Sequence, residues 1–225
     1  MQKHHRNVVV LSTCQATLQV TTVTLVAVTG LAGYALATDK SLATVPLTCY
    51  VLGAAATTIP ASLLMNAIGR RAGFQAGAMI GVAGSAICAA AIYLAQFWLL
   101  CLGMTVLGIC TAFGKYYRFA AADAAEVSFR AKAISLTLAG GIVGGVLGPE
   151  MAKLTTGALG EGLVYVGPYV SLVFVGLFAA LVLTKLDIPM LSAHERGNRA
   201  GRSRASWCSR SSSSPRSLRC SPTAS

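Results

Sequence analysis

The chain has 225 residues, 55% of them apolar and only 11% charged, with a mean hydropathy of +0.66. Soluble domains carry about 25% charge, so this composition excludes an ordinary water-soluble fold and indicates a membrane protein. The net charge of +11 does not indicate a nucleic-acid partner, because seven of the twelve arginines lie in residues 196–225 and the remaining basic excess is ordinary loop charge.

Six apolar segments follow one another, at about residues 8–36, 42–64, 72–94, 97–122, 131–151 and 163–186. Each is long enough to cross a bilayer core of roughly 30 Å as a helix. The predicted fold class is therefore an all-α membrane protein of six transmembrane helices, residues 1–190, with a disordered tail at 191–225. The segment after the basic start, Lys3 to Arg6, is too long for a signal peptide and lacks a small-residue cleavage site, so it is expected to remain as the first helix. Lys3, Arg6, Arg70, Arg71, Arg130 and Lys132 fall in loops that share one face, whereas Lys40 and Lys153 on the other are offset by Asp39 and Glu161. The positive-inside rule then predicts that both termini are cytoplasmic.

The first segment is polar for a membrane span. Gln15, Gln19 and Thr22 stand at i, i+4 and i+7, which puts two amides and a hydroxyl on one helix face. An amide without a partner in hydrocarbon is costly, so this face meets either a water-filled cavity or other helices, as interhelical glue worth about 0.6 kcal/mol per contact. In the second segment Thr57, Thr58 and Pro60 predict a kink, with a threonine hydroxyl satisfying the carbonyl that proline frees. Gly77, Gly81 and Gly84 in the third segment allow a close helix approach and indicate packing. At the end of the fourth, Arg118 either snorkels beside the aromatic belt of Tyr116, Tyr117 and Phe119, or turns inward toward an anionic group or Asp123.

The fifth segment carries glycines at 140, 141, 144, 145 and 148, with Pro149 expected to break the ladder near the outer end. A stripe without side chains suits either a helix that slides past its partner or tight static packing. Glu150 and Lys153 form a possible i, i+3 charge pair, with a proton-carrying role for Glu150 as the alternative. Seven cysteines lack any C-x-x-C spacing and five of them lie inside apolar runs, so they read as small packing residues. No nucleotide motif is present, and the three histidines, at 4, 5 and 194, lie outside the spans, which argues against a serine–histidine intramembrane protease. No cofactor, no metal and no enzymatic activity are expected.

Two stretches carry a family resemblance. The turn Ser62 to Gly73, S-L-L-M-N-A-I-G-R-R-A-G, resembles the end of the pattern G-x-L-A-D-R-x-G-R-R/K between the second and third helices of the major facilitator superfamily, matching at Gly69, Arg70 and Arg71. Ser62, Asn66 and Ala67 replace its glycine, aspartate and first arginine, and the same residues also suit a helix-ending glycine with two arginines on the cytoplasmic side. Gly144, Gly148 and Pro149 resemble the end of the glycine pattern on helix five of the drug/proton antiporter branch, whose first glycine is Ser135 here. The arginine expected on helix four, four residues before Gly108, is replaced by Met104.

The resemblance implies one half of such a bundle, a 3+3 inverted repeat in a bacterial cytoplasmic (inner) membrane. It implies proton-coupled efflux of a small molecule by alternating access, with Gln15, Gln19, Thr22 and Arg118 as substrate-cavity candidates. A second transporter half or a homodimer would complete the bundle; a six-helix scaffold, or an inactive truncated product, is the alternative. Residues 196–225, with ten serines, seven arginines and no lysine, resemble a frame-shifted translation of GC-rich DNA, or else a basic segment for anionic lipid or RNA.

Overall fold

The computed structural model describes residues 2–37, 39–124, 130–157 and 164–184, apart from the side chains of residues 2–6, 66, 122–124 and 130. The predicted disordered tail, residues 191–225, lies outside them. All the regular structure among the described residues is helical: α1 (Gln2–Leu36), a 3-10 turn (Lys40–Leu42), α2 (Val45–Ile68), α3 (Arg70–Tyr93), α4 (Phe97–Gly114), α5 (Tyr117–Ala124), α6 (Arg130–Thr155) and α7 (Val166–Thr184). Six stretches are long and apolar enough to span a membrane, with α4, its turn and most of α5 forming the fourth, α6 the fifth and α7 the sixth.

Two boundaries and one hydrogen bond differ from the expected ones. The fourth segment is not continuous: the chain turns at Lys115 and Tyr116, where the Tyr116 N–H bonds back to the Phe113 carbonyl, and resumes as α5. Gly114 sits against Leu18 and the Tyr116 hydroxyl donates to the Thr58 carbonyl at 2.9 Å, so tertiary contacts hold this turn. The fifth span runs past its expected end at residue 151, to Thr155, with Pro149 inside the helix. In α2 the Thr58 hydroxyl donates to Ala54 at 2.7 Å, and so does not serve the Ala56 carbonyl that Pro60 leaves without its usual donor.

Packing has a regular pattern. α1 lies on α6, α2 on α4, α3 on α4 and α7, and α1 on α7. Exchanging the first three spans for the last three maps these pairs onto one another. Three spans reverse the direction of the chain, so a three-helix repeat packed in this way is an inverted one.

Two contact surfaces show why the sequence packs so. On α3 the glycines form sockets: a Cβ at Gly77 would stand 2.7 Å from Phe113, one at Gly81 2.7 Å from the Cys110 sulfur, and one at Gly84 2.9 Å from Leu107. Side chains of α4 therefore fill space that any larger residue on α3 would occupy. The core continues through Leu11, Leu25, Phe74, Leu100, Met104 and Tyr169, all at most 1% exposed. By contrast α2 and α6 are the least buried spans, and their outer faces present Ile59, Leu63, Ile142, Val146 and Leu154. Apolar side chains facing outward fit a hydrocarbon solvent or a further layer of helices.

The loop between α1 and α2 is tied down by short-range bonds. Lys40 donates to the Tyr34 and Ala37 carbonyls at the end of α1, and the Asp39 carboxylate accepts from the Ser41 N–H at 3.0 Å. That bond holds the Asp39 carboxyl below its ordinary value.

Candidate functional site

The face of α1 that carries the polar residues is defined by what its other faces touch. Ser12, Ala16, Val20 and Val23 meet the glycines of α6, while Cys14, Thr17 and Thr21 point into the interior between α3, α4 and α7. Gln15, Gln19 and Thr22 occupy the remaining face, and all three are half-buried. Gln15 lies beside Gly141, 3.6 Å from where its Cβ would stand, and Gln19 beside Gly145 at 3.9 Å. At these two positions α6 offers no side chain to Gln15 and Gln19, because both are glycine.

Thr22 points to the opposite neighbour. Its hydroxyl donates to the Leu18 carbonyl and lies 3.5 Å from the Tyr50 hydroxyl, which in turn is 2.9 Å from the Thr111 hydroxyl. Thr111 spends its own proton on the Leu107 carbonyl at 3.0 Å, so Tyr50 is the donor to Thr111. This short chain of hydroxyls joins α1, α2 and α4. The sequence did not single out Tyr50 or Thr111, since one hydroxyl in an apolar run looks like any other until its partner is known. Deeper, Thr29 pairs with the Tyr169 hydroxyl at 2.9 Å and reaches the Met104 sulfur at 3.6 Å. Met104, which stands where the resemblance expects arginine, is fully buried in this apolar corner.

The helices α1, α3, α4 and α7 enclose a cavity of about 40 Å³ lined by Thr17, Thr21, Ser85, Cys110, Thr111 and Tyr117 among others. Organic ligands need several hundred Å³, so this space suits water and not a substrate. Gln15 and Gln19 lie outside this cavity, on the side of α1 that faces neither α3 nor α4.

At the other candidate region Gly69 has φ 90° and ψ 154°, a left-handed backbone that only glycine adopts freely, and it serves at once as the end of α2 and the start of α3. Arg71 reaches across to α7 and donates to the Thr184 carbonyl at 2.8 Å, a cation at a helix C-terminus. Arg70 lines a cleft of about 330 Å³ with Ser62, Met65, Phe74, Tyr116 and Phe119. Arg118 does not join the α1 face: it is exposed, with its guanidinium 5.3 Å from the centre of the Phe119 ring, the snorkelling arrangement.

Gly144 and Gly148 lie along α1 and not in open space, with Pro149 next to them inside α6. A Cβ on Gly144 would stand 2.2 Å from the Ala16 carbonyl oxygen and one on Gly148 2.9 Å from Val23, and the buried Thr24 hydroxyl donates to the Gly148 carbonyl at 3.0 Å. Glu150 and Lys153 pair at 2.9 Å, with both side chains more than half exposed.

Six spans with this pairing, polar residues on the first and glycines on the fifth, describe a half-bundle of the kind that secondary transporters use. The sequence profile of the Major Facilitator Superfamily matches residues 9–222, and the chain belongs to that family. It is 34% identical over 201 residues to "Riboflavin transporter RfnT" of Brucella anthropi, a match covering 87% of this chain and 50% of that protein. It is also 32% identical over 119 residues to "Uncharacterized MFS-type transporter YdeG" of Bacillus subtilis, covering 53% of this chain and 27% of that one. The chain thus spans about half the length of the first relative and about a quarter of the second. No solved structure matches.

Proposed function

We propose that this chain is one half of a secondary transporter that moves an amphipathic small molecule by alternating access in a bacterial cytoplasmic membrane, with both termini inside. The observation that carries the proposal is the face of α1 on which Gln15 and Gln19 lie half-buried beside glycines, where a substrate can replace missing side chains. Amides and hydroxyls there offer both donors and acceptors without fixed charge, which suits a neutral heterocycle or polyol. Riboflavin has that chemistry, and it is the substrate named for the relative that is 34% identical.

Energy comes from exchange with protons, and the working direction is efflux. A second half, from another chain or a second copy, closes the cavity against the exposed apolar faces of α2 and α6. Gly69 to Arg71 latch one conformation through the bond to Thr184.

The experiment is riboflavin flux in inside-out vesicles containing this chain alone or together with a C-terminal half of the relative. Proton-driven accumulation only with both halves supports the reading. Riboflavin flux that ignores the proton gradient rejects the coupling, and no flux of riboflavin or of other neutral amphipaths with both halves assembled rejects transport. Net uptake into right-side-out vesicles reverses the proposed direction while keeping the site.

A further inference from the structure

The crossing of α2 and α4 holds a chemistry that transport does not use. At its tightest point a Cβ on Gly53 would stand 2.5 Å from the Thr105 carbonyl oxygen and 3.2 Å from the Thr105 Cα, so the two backbones touch. One helical turn nearer the N-terminus of each helix, positions 49 and 101 occupy the same register, and both are cysteine. The two helices are separated by one span and so run parallel, which keeps that register along their length. The Cys49 thiol is close enough to Cys101 to act on it electrostatically.

The environment of the pair is graded. Cys49 is half-buried, Cys101 is 6% exposed, and both are free thiols. On the far side of Cys101 stands Cys88 of α3, fully buried, with its sulfur 2.6 Å from where a Cβ of Gly103 would lie. Each of Cys49 and Cys101 is the fifth residue of its helix, about one turn below the same membrane interface. A disulfide requires Cα atoms within about 7 Å, and helices whose backbones touch a turn away supply that separation.

We propose that Cys49 and Cys101 form an oxidisable dithiol that closes into a disulfide stapling α2 to α4. The more exposed Cys49, as thiolate, attacks a low-molecular-weight disulfide R–S–S–R; one S–S bond breaks, a mixed disulfide Cys49–S–S–R forms and one RS⁻ leaves. Cys101 then attacks the Cys49 sulfur, the protein disulfide forms and the second RS⁻ leaves. Two electrons pass from the cysteines to the reagent, and the two thiol protons end on the two RSH released. The crossing of α1 and α6 has no such pair, because Ser12 faces Gly140 and Ala16 faces Gly144 there.

The test uses the full chain in membranes, treated with oxidised glutathione, quenched with N-ethylmaleimide and digested with trypsin, which cuts at Arg70 and Arg71 between the two cysteines. The expected product is a peptide pair joined through Cys49 and Cys101, lost on reduction, absent in C49S and C101S, and retained in C88S. The oxidised chain also requires more dodecyl sulfate to unfold than the reduced one. Persistent glutathione on Cys49 with Cys101 alkylated by maleimide overturns the proposal. So does a dominant link between Cys88 and Cys101, or between two chains. The wild-type readout stands even where a serine variant fails to fold.

Discussion

The two closest helix crossings, α1 with α6 and α2 with α4, hold equivalent places in the three-helix repeat and are built differently. Between α1 and α6 the glycines sit on one side: Gly140 and Gly144 receive the Ser12 and Ala16 carbonyls, and Gly148 takes Val23 with the Val20 carbonyl. Between α2 and α4 each helix contributes one glycine, Gly53 against Thr105 and Gly108 against the Tyr50 carbonyl. Tyr50 then reaches over to bond Thr111. If a stripe of glycines on one helix is a smooth track, the partner is free to shift along it. Interleaved glycines make a toothed contact that fixes the register.

The sharpest way to break this comparison is to fill each contact. Gly108→Leu forces a side chain into the Tyr50 carbonyl and is expected to cost more than about 3 kcal/mol, read as loss of monodisperse protein in detergent. Gly144→Leu meets the Ala16 carbonyl just as closely, but on a smooth track α1 can move aside. A smaller loss there supports the distinction, and equal losses remove it.

Next in size are the hydroxyls that bond across each crossing. Tyr50→Phe and Thr24→Val each remove one interhelical bond, expected to cost about 0.6 kcal/mol and at most about 1.7 in a dodecyl sulfate unfolding titration. A larger value for Tyr50 follows if its link to Thr111 locks the toothed crossing. The double substitution Gln15→Leu and Gln19→Leu is expected to change stability by less than about 0.5 kcal/mol, since the amides lie beside glycine and make no hydrogen bond to α6. In an assembled two-half complex the same substitution is expected to abolish the proposed riboflavin flux; retained flux makes the amides packing residues. The smallest effect belongs to Glu150→Gln, where the ion pair to Lys153 is exposed and worth about 0.5 kcal/mol or less.

Much of this architecture is legible in the chain itself. Hydropathy marks six spans, and the glycines on α3 and α6 announce close approaches. What periodicity cannot supply is the partner: nothing in Gly144 names Ala16, and nothing in Cys49 names Cys101, 52 residues away. The break after Gly114 escapes notice because its causes, Leu18 and Thr58, belong to other helices. Both prolines lie inside helices, so neither marks an end. At Pro149 the helix continues, and at Pro60 the nearby hydroxyl serves Ala54. The polar face of α1 is visible from spacing alone, but the chain of hydroxyls through Tyr50 and Thr111 exists only once α1, α2 and α4 are together. Gly69 is the easier case, since a glycine between an apolar run and two arginines already suggests the left-handed backbone it adopts.

The bond from Arg71 to Thr184 has a mechanical consequence. It ties the first turn of α3 to the last turn of α7, two helices that also pack along their length, so the pair resists twisting at its end as well as along its side. The bond brings the C-terminal end of α7 to the Gly69 turn, where α2 ends, and the outer face of α2 is among the least covered in the bundle. In that sense the arginine is a rivet between the ends of two rods, set two residues from the glycine at which the chain turns.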